Sequence, residues 1–309
     1  MVWIRLVNHW LHGIFTELVT PFEGGAVDRA AFARLVNWQI AQHADGFAVG
    51  TATGEGSTLS RQERAGIVAT IREVAGQAVP ILVAAGTNAT ATTVEEVEEA
   101  TRWGANAILL RTPYYSRPTQ AGLVEHARAA AAATHLDIVL DNDPERCAVE
   151  LSIPTLAELC RTPNFVGVLE RRGDLVRCDR IARACSRQFM RLTGSSDNLP
   201  AYFLTGGCGA ITGLGNLAPH LLSRIQAAVR SGSYEQAQML QRRLIPLHDL
   251  LRGQGDPGEV KFALSRMELG LKPDCRFSTC APSPEFAEEL ADALPAFKVE
   301  KSGRVAQLR

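Results

Sequence analysis

Short apolar runs recur along the first two-thirds of the chain, at Gly13–Phe15, Gly46–Gly50, Val79–Ala84, Ala107–Leu110, Ile138–Leu140, Phe165–Leu169, Met190–Leu192 and Gly209–Ile211. Polar and apolar residues do not alternate within them, which predicts strands buried on both faces, as in a parallel sheet. The segments between the runs have helical spacing and open on capping residues. Asp28 begins the first helix, and Ser60-Arg-Gln-Glu63 is a capping box, in which the serine oxygen accepts an orphan N–H while the glutamate reaches back to the cap. The stretch from Thr92 opens the third helix and Thr119 the fourth. Eight strands separated by helices predict an α/β fold closed as a (β/α)8 TIM barrel; a doubly wound open sheet shares the periodicity and is the rival.

Helical patterns continue beyond the eighth run, near 217–230, 233–252, 257–269 and 284–294. A barrel needs one helix after its last strand, so the surplus predicts a C-terminal helical extension. The expected division is a barrel over 1–225 and an extension over 226–309, packed on the barrel or on a neighbouring subunit. The apolar start MVWIRLVNHWLHGIF is shorter than a membrane span and has no small-residue cleavage site, so it reads as the lead into the first strand.

Composition narrows the function. Charged residues are 21% of the 309 and the formal net charge is -1, which gives no electrostatic footprint for nucleic acid. A cytoplasmic protein with neither nucleic-acid nor membrane partners is expected. The seven cysteines, at 147, 160, 178, 185, 208, 275 and 280, are odd in number and contain no Cys-x-x-Cys pair, which argues against a disulfide framework and against structural zinc. No cofactor and no metal is called for. Lysine is nearly absent: only Lys261, Lys272, Lys298 and Lys301 occur, so 32 basic residues less 4 leaves 28 arginines. Residues 1–260 contain no side-chain primary amine.

Barrel chemistry sits where strands end, on the C-terminal face. That rule selects Glu17, Thr51–Glu55, Arg111–Tyr115, Asp141–Arg146, Glu170–Asp174, Gly194–Asp197 and Thr212–Asn216. The backbone around Thr53 and Gly54 suits either an anion cradle or a plain tight turn. Arg146 suits a bidentate carboxylate or a salt bridge to Glu145 or Asp143. Asp141, at the end of a buried strand, is either a proton-transfer group or the partner of an arginine. Asp141, Asp143 and Glu170 as oxygen ligands to a divalent cation is the weaker alternative, because arginines compete for them. The histidines fall away from these loops, and Cys208 reads as a packed small hydrophobe.

Five segments together resemble the dihydrodipicolinate synthase and N-acetylneuraminate lyase superfamily of class I aldolases. They are Thr51-Ala-Thr-Gly-Glu-Gly-Ser-Thr-Leu59, Arg111-Thr-Pro-Tyr-Tyr-Ser-Arg-Pro-Thr-Gln120, Leu140-Asp-Asn-Asp-Pro-Glu-Arg146, the segment from Thr162 to Asp174, and Gly209-Ala-Ile-Thr-Gly-Leu-Gly-Asn-Leu-Ala-Pro219. The resemblance implies a TIM barrel, a small 2-oxo acid substrate and a homotetramer built as a dimer of dimers. It also implies a lysine at the end of the sixth strand that forms a Schiff base with substrate. Leu169 stands at that position, and Gly167 with Gly173-Asp174 fixes the register. Lys261 resembles a lysine of the family's C-terminal helix that has no catalytic role. Ala52 stands where a proton-relay threonine belongs, and Asp141 where a tyrosine faces substrate. Tyr115 matches the tyrosine lent across the subunit interface, Arg146 the arginine for the second substrate's carboxylate, and Ile211 the substrate-facing eighth-strand loop. Two functions are expected from this pattern. One is a divergent lyase or hydro-lyase acting on a small anionic oxo- or hydroxy-acid without a lysine Schiff base, with Asp141 and Tyr115 moving protons and Thr53, Gly54, Arg146 and Ile211 binding the acid. The other is a catalytically silent relative that binds a small acid or a partner protein.

Overall fold

The computed structural model describes residues 10–251, 256–267, 269–277 and 282–293. Each of the eight apolar runs becomes a barrel strand. The strands are β1 (Gly13–Glu17), β4 (Gly46–Val49), β5 (Ile81–Ala85), β6 (Ala107–Arg111), β7 (Asp137–Asn142), β8 (Phe165–Glu170), β9 (Met190–Thr193) and β10 (Gly209–Thr212), while β2 (Phe22–Glu23) and β3 (Ala26–Val27) form a small separate ribbon. Every neighbouring pair in the barrel is parallel, and β1 closes the ring by pairing with both β10 and β4. The fold is the (β/α)8 TIM barrel, with further helices after the last strand.

Several strands run past their apolar run to a charged or polar residue, as at Glu17, Arg111, Asn142 and Glu170. The parallel ladder is regular enough to hold them: Arg111 pairs in register with Asp141, and Asn142 with Glu170. Side chains on a strand alternate between faces. Phe15, Val139 and Leu169 therefore point into the barrel, where they join Leu82, Leu192 and Ile211 in an inner apolar cluster. Their neighbours Ile14, Ile138 and Val168 face outward into a larger cluster shared with the helices. The barrel is a packed core rather than a pore, as expected for eight strands.

The helix caps at Asp28 and Thr119 form as expected, and both halves of the Ser60–Glu63 box are present. The third helix differs. It spans Thr90–Arg102, with Ala89 as its cap, so Thr92 lies inside the first turn. The Thr93 N–H already donates to the Ala89 carbonyl, and Thr87 supplies the local hydrogen bonds that release the chain into the helix. The ribbon and the short helices Pro144–Cys147, Ile153–Leu159 and Leu199–Leu204 are too brief to leave a periodic signature. The ribbon's turn is made at Gly24 and Gly25, both with positive φ.

Helices Pro219–Arg230, Tyr234–Leu250, Pro257–Ser265 and Pro284–Ala293 follow β10. Tyr234–Leu250 packs on Pro219–Arg230 and on Leu199–Leu204, and Pro284–Ala293 packs on Tyr234–Leu250. The apolar lead over residues 1–9, Cys280, Lys298 and Lys301 lie outside the described residues, as do the outer ends of two helical patterns at 252 and 294. No helix among the described residues is long and apolar enough to cross a membrane.

Candidate functional site at the barrel mouth

The inner face of the barrel changes character one pleat beyond the apolar layer. Stepping two residues toward the C-terminal rim turns Phe15 into Glu17, Val139 into Asp141 and Leu169 into Arg171. The period of two aims these three charged side chains at one another. Arg171 Nε donates to Asp141 Oδ1 at 2.8 Å and Nη2 donates to Oδ2 at 2.9 Å, while Nη1 donates to Glu17 Oε1 at 2.8 Å. All three residues are buried. A guanidinium can satisfy two carboxylates at once because its donors form a rigid planar fork.

Glycines make room for this arrangement. A Cβ on Gly194, which follows β9, would stand 2.8 Å from Arg171 Cδ. Gly86 allows the same close approach beside Arg111, whose Nη2 reaches the Gly50 carbonyl at 3.3 Å. The mouth is thus a ring in which arginines occupy space vacated by neighbouring glycines.

Burial pushes the Glu17 carboxyl above the ordinary carboxylate range, although the Arg171 charge pulls the other way and Asp141 adds to the rise. Burial works against the charge of Arg171, yet Asp141 and Glu17 hold it firmly protonated. Glu170 is the neighbouring case on the outer face of β8. Its carboxylate accepts from Arg177 Nε at 2.7 Å and from Asn142 Nδ2, and burial raises its pKa.

Thr53 is brought to the same place: its Oγ1 lies 3.4 Å from Glu17 Oε2. Gly54 is buried beneath it, its carbonyl accepting from Thr20 Oγ1 at 2.7 Å and its N–H facing Thr51 Oγ1 at 3.4 Å. A Cβ at Gly54 would meet the Leu18 carbonyl at 2.7 Å, so this position needs glycine for backbone approach. Glu55 is fully buried at φ +53 and holds loops together, accepting from Lys261 Nζ and from the N–H groups of Arg276 and Phe277, each at 2.7 Å for the two amides.

Leu169 has no exposure and lies wholly in the inner apolar cluster, as does Ile211 on β10. Arg146 is half-exposed, with Nη1 3.2 Å from Asp143 Oδ2, one of the two partners expected for it. Tyr115 is 90% exposed and adopts φ +70, so it is not packed into the mouth of its own chain. Glu17, Asp141 and Thr53 are therefore brought together, Leu169 and Ile211 floor the site, and Tyr115 stands apart. Asp141, Asp143 and Glu170 each face an arginine, and no group of three or more metal-binding side chains occurs among the described residues.

The feature that sequence reasoning undervalued is the pairing of Glu17 with Arg171. Both stand among the rim residues selected by strand ends, but only the inward phase of β1 and β8 places them opposite Asp141. That phase was readable: an acidic residue two beyond Phe15 and an arginine two beyond Leu169 share the parity of the core positions.

A separate cleft of about 170 Å3 opens beside this layer, lined by Arg64, Glu96, Arg111 and Tyr114 among others. Arg64 Nη1 donates there to Glu96 at 2.6 Å.

Residues 10–296 match the dihydrodipicolinate synthetase family. The chain is 40% identical over 290 residues to the 4-hydroxy-tetrahydrodipicolinate synthase of Hyphomonas neptunium, covering 92% of this chain and 97% of that protein. The crystal structure of dihydrodipicolinate synthase from Thermotoga maritima superposes with a TM-score of 0.89 at 32% identity, covering 93% of this chain and 98% of that one. The chloride-inhibited dihydrodipicolinate synthase from Acinetobacter baumannii, complexed with pyruvate, gives 0.87 at 32% identity, covering 92% and 98%.

Proposed function

Because the chain belongs to the dihydrodipicolinate synthetase family, a family of lyases, we propose that it handles a small carboxylated oxo- or hydroxy-acid at the barrel mouth without forming a lysine Schiff base. The supporting observation is Leu169. It occupies the position that the family resemblance gives to the imine-forming lysine, and it is fully buried in the inner apolar cluster. An iminium withdraws electrons from the substrate carbon because the amine becomes a covalently attached cation. Leucine supplies neither bond nor charge, and residues 1–260 hold no lysine. Lys261 is engaged elsewhere, paired with Glu55 and donating to the Asp274 carbonyl at 2.9 Å.

In this reading Thr53, Gly54 and Arg146 receive the acid, Ile211 lines its floor, and the buried charged layer supplies the electrostatics. Preorganised charge in a water-poor site is the main alternative to covalent activation. Asp141 and Tyr115 are the proton-transfer residues that the strand-end positions suggest. Tyr115 serves a neighbouring copy, since its exposure and left-handed backbone leave its ring projecting from the chain that bears it. The active assembly is accordingly a homo-oligomer, proposed as a tetramer in the cytoplasm, with the barrel over 1–225 and the helical extension over 226–309.

A second reading, a silent acid-binding relative, is favoured by one observation: both oxygens of Asp141 are held by Arg171. Borohydride reduction in the presence of pyruvate, followed by mass spectrometry, tests the lysine-free reading. No adduct is expected, and a mass increase mapped within residues 1–260 would refute it. A thermal-shift screen against 2-oxo and hydroxy acids, followed by turnover assays on the hits, separates enzyme from binding protein.

A further inference from the structure

We propose that Glu17, rather than Asp141, is the proton-carrying residue of the mouth, with Arg171 as the fixed cation that replaces an iminium and Asp141 as the residue positioning that cation. The inference rests on the lysine-free reading given above and moves to Glu17 the proton-transfer role that the strand-end positions suggest for Asp141.

The two carboxylates share one guanidinium but not one environment. Asp141 is gripped at both oxygens, 2.8 and 2.9 Å from Nε and Nη2, so protonation at either oxygen weakens a charge-assisted bond. Glu17 is held at Oε1 alone; Oε2 has only the 3.4 Å approach of Thr53 Oγ1. Two carboxyl groups placed in different surroundings take different roles, the more weakly held one serving as acid or base. Burial raises the Glu17 carboxyl above its ordinary range, which strengthens it as a proton acceptor.

Arg171 is suited to its part by donor count. Its hydrogen bonds among the described residues use three of its five N–H groups, leaving one on Nη1 and one on Nη2. Arg171 stands two residues beyond Leu169 in the same inward phase, at the mouth where the substrate carbonyl is proposed to bind. The charged groups facing Glu17 are Arg171 and Asp141 and, at longer range, Arg146. The β4 side contributes the hydroxyl of Thr53, while Asn216 from beyond β10 binds the Glu17 carbonyl through Nδ2 at 2.6 Å and so fixes the backbone from which the carboxyl projects.

The step this permits is proton transfer at the carbon beside a substrate carbonyl. The C–H bond breaks, the proton passes to Glu17 Oε2, and the electron pair moves to the carbonyl oxygen as an enolate, stabilised by the two remaining N–H groups of Arg171. Returning the proton regenerates both partners, so no oxidant or co-reactant is needed.

The test follows exchange of the pyruvate methyl protons in D2O by proton NMR. The wild-type protein is expected to accelerate exchange above buffer. Glu17→Gln should lower the rate by about 10²- to 10⁴-fold and abolish its pH dependence, whereas Asp141→Asn should keep the pH dependence. Infrared difference spectra supply an independent readout: the carboxylate-to-carboxyl conversion that appears as pH falls should lose its raised component in Glu17→Gln and keep it in Asp141→Asn. Circular dichroism checks that both variants fold. Wild-type protein that exchanges no faster than buffer, an undiminished rate in Glu17→Gln, or a raised component lost only with Asp141 overturns the assignment. A borohydride adduct would instead sink the lysine-free reading, so the two failures are distinct.

Discussion

Asp141 and Leu169 are register partners on the adjacent strands β7 and β8. In the proposed reading both are departures from the family pattern, side by side on the inner face of the barrel, and the charged Arg171 follows two residues beyond Leu169. Restoring an amine tests whether this register is right. In Leu169→Lys, burial and the nearby Arg171 charge both favour the neutral amine, the form that attacks a carbonyl. Borohydride with pyruvate is expected to label position 169 in the variant and nothing in the wild type. Tryptic mass mapping reads the result, and a label elsewhere would show that the register is misplaced.

Removing the cation should be far more damaging than removing the charged set together. Arg171→Met leaves Glu17 and Asp141 buried without their shared cation, a defect expected to cost about 3–5 kcal/mol. Adding Glu17→Gln and Asp141→Asn to the same chain should recover much of that loss, since neutral amides need no counter-charge. Denaturant unfolding of the single and triple variants measures the difference. Equal stability of the two would mean that the charges are hydrated rather than paired.

The strands, the barrel and the position of the mouth were legible in the sequence because they follow from strong local signals: apolar runs, capping residues and the alternation of strand with helix. Asp28, Ser60 with Glu63, and Thr119 cap helices as their side-chain chemistry dictates. The start of the third helix was misplaced because Thr87, Thr90, Thr92 and Thr93 are rival capping residues, and only the hydrogen bond from Thr93 to Ala89 decides among them. The partners of the site were less accessible. Glu17 and Arg171 are 154 residues apart, and their contact depends on barrel closure between β1 and β10. Likewise the seat of Lys261 against Glu55 is a meeting across 206 residues that no local pattern encodes.

That buried pair carries a prediction of its own. Lys261 is fully buried, lies 4.2 Å from the centre of the Phe22 ring, and bridges Glu55 to the Asp274 carbonyl. Burial lowers its pKa while Glu55 opposes the fall. Lys261→Met should destabilise the fold by about 3–5 kcal/mol, because Glu55 is then left as an unpaired buried charge. Hydrogen exchange should rise at the Arg276 and Phe277 amides, which donate to Glu55, and in the loop Thr51–Thr58. Combining Lys261→Met with Glu55→Gln is expected to return part of the stability. Unchanged exchange in the single variant would show that the C-terminal segment is held independently of the ion pair.

The same segment has a partly exposed anchor whose strength depends on pH. Arg276 reaches the Glu63 carboxylate, with Nη1 2.9 Å from Oε2, and also donates to the Gly25 and Thr58 carbonyls. The Arg276 contact, with the Ser60 backbone N–H assisting, lowers the Glu63 carboxyl to about 2 from its ordinary 4.5. A depressed carboxyl stabilises the fold where the unfolded chain would already be ionised. Its contribution is therefore fully present above 4.5 and is lost as pH falls toward 2. Glu63→Gln keeps a side-chain oxygen to accept from the Ser60 backbone N–H but removes the charge. The melting temperature of the variant should lie below that of the wild type at neutral pH, and the gap should close as pH drops through this window. Because Glu63 is partly exposed, added salt should shrink the gap as well. A difference that stays constant between neutral pH and pH 2 would assign the effect to the cap, and the arginine contact would then contribute nothing through charge.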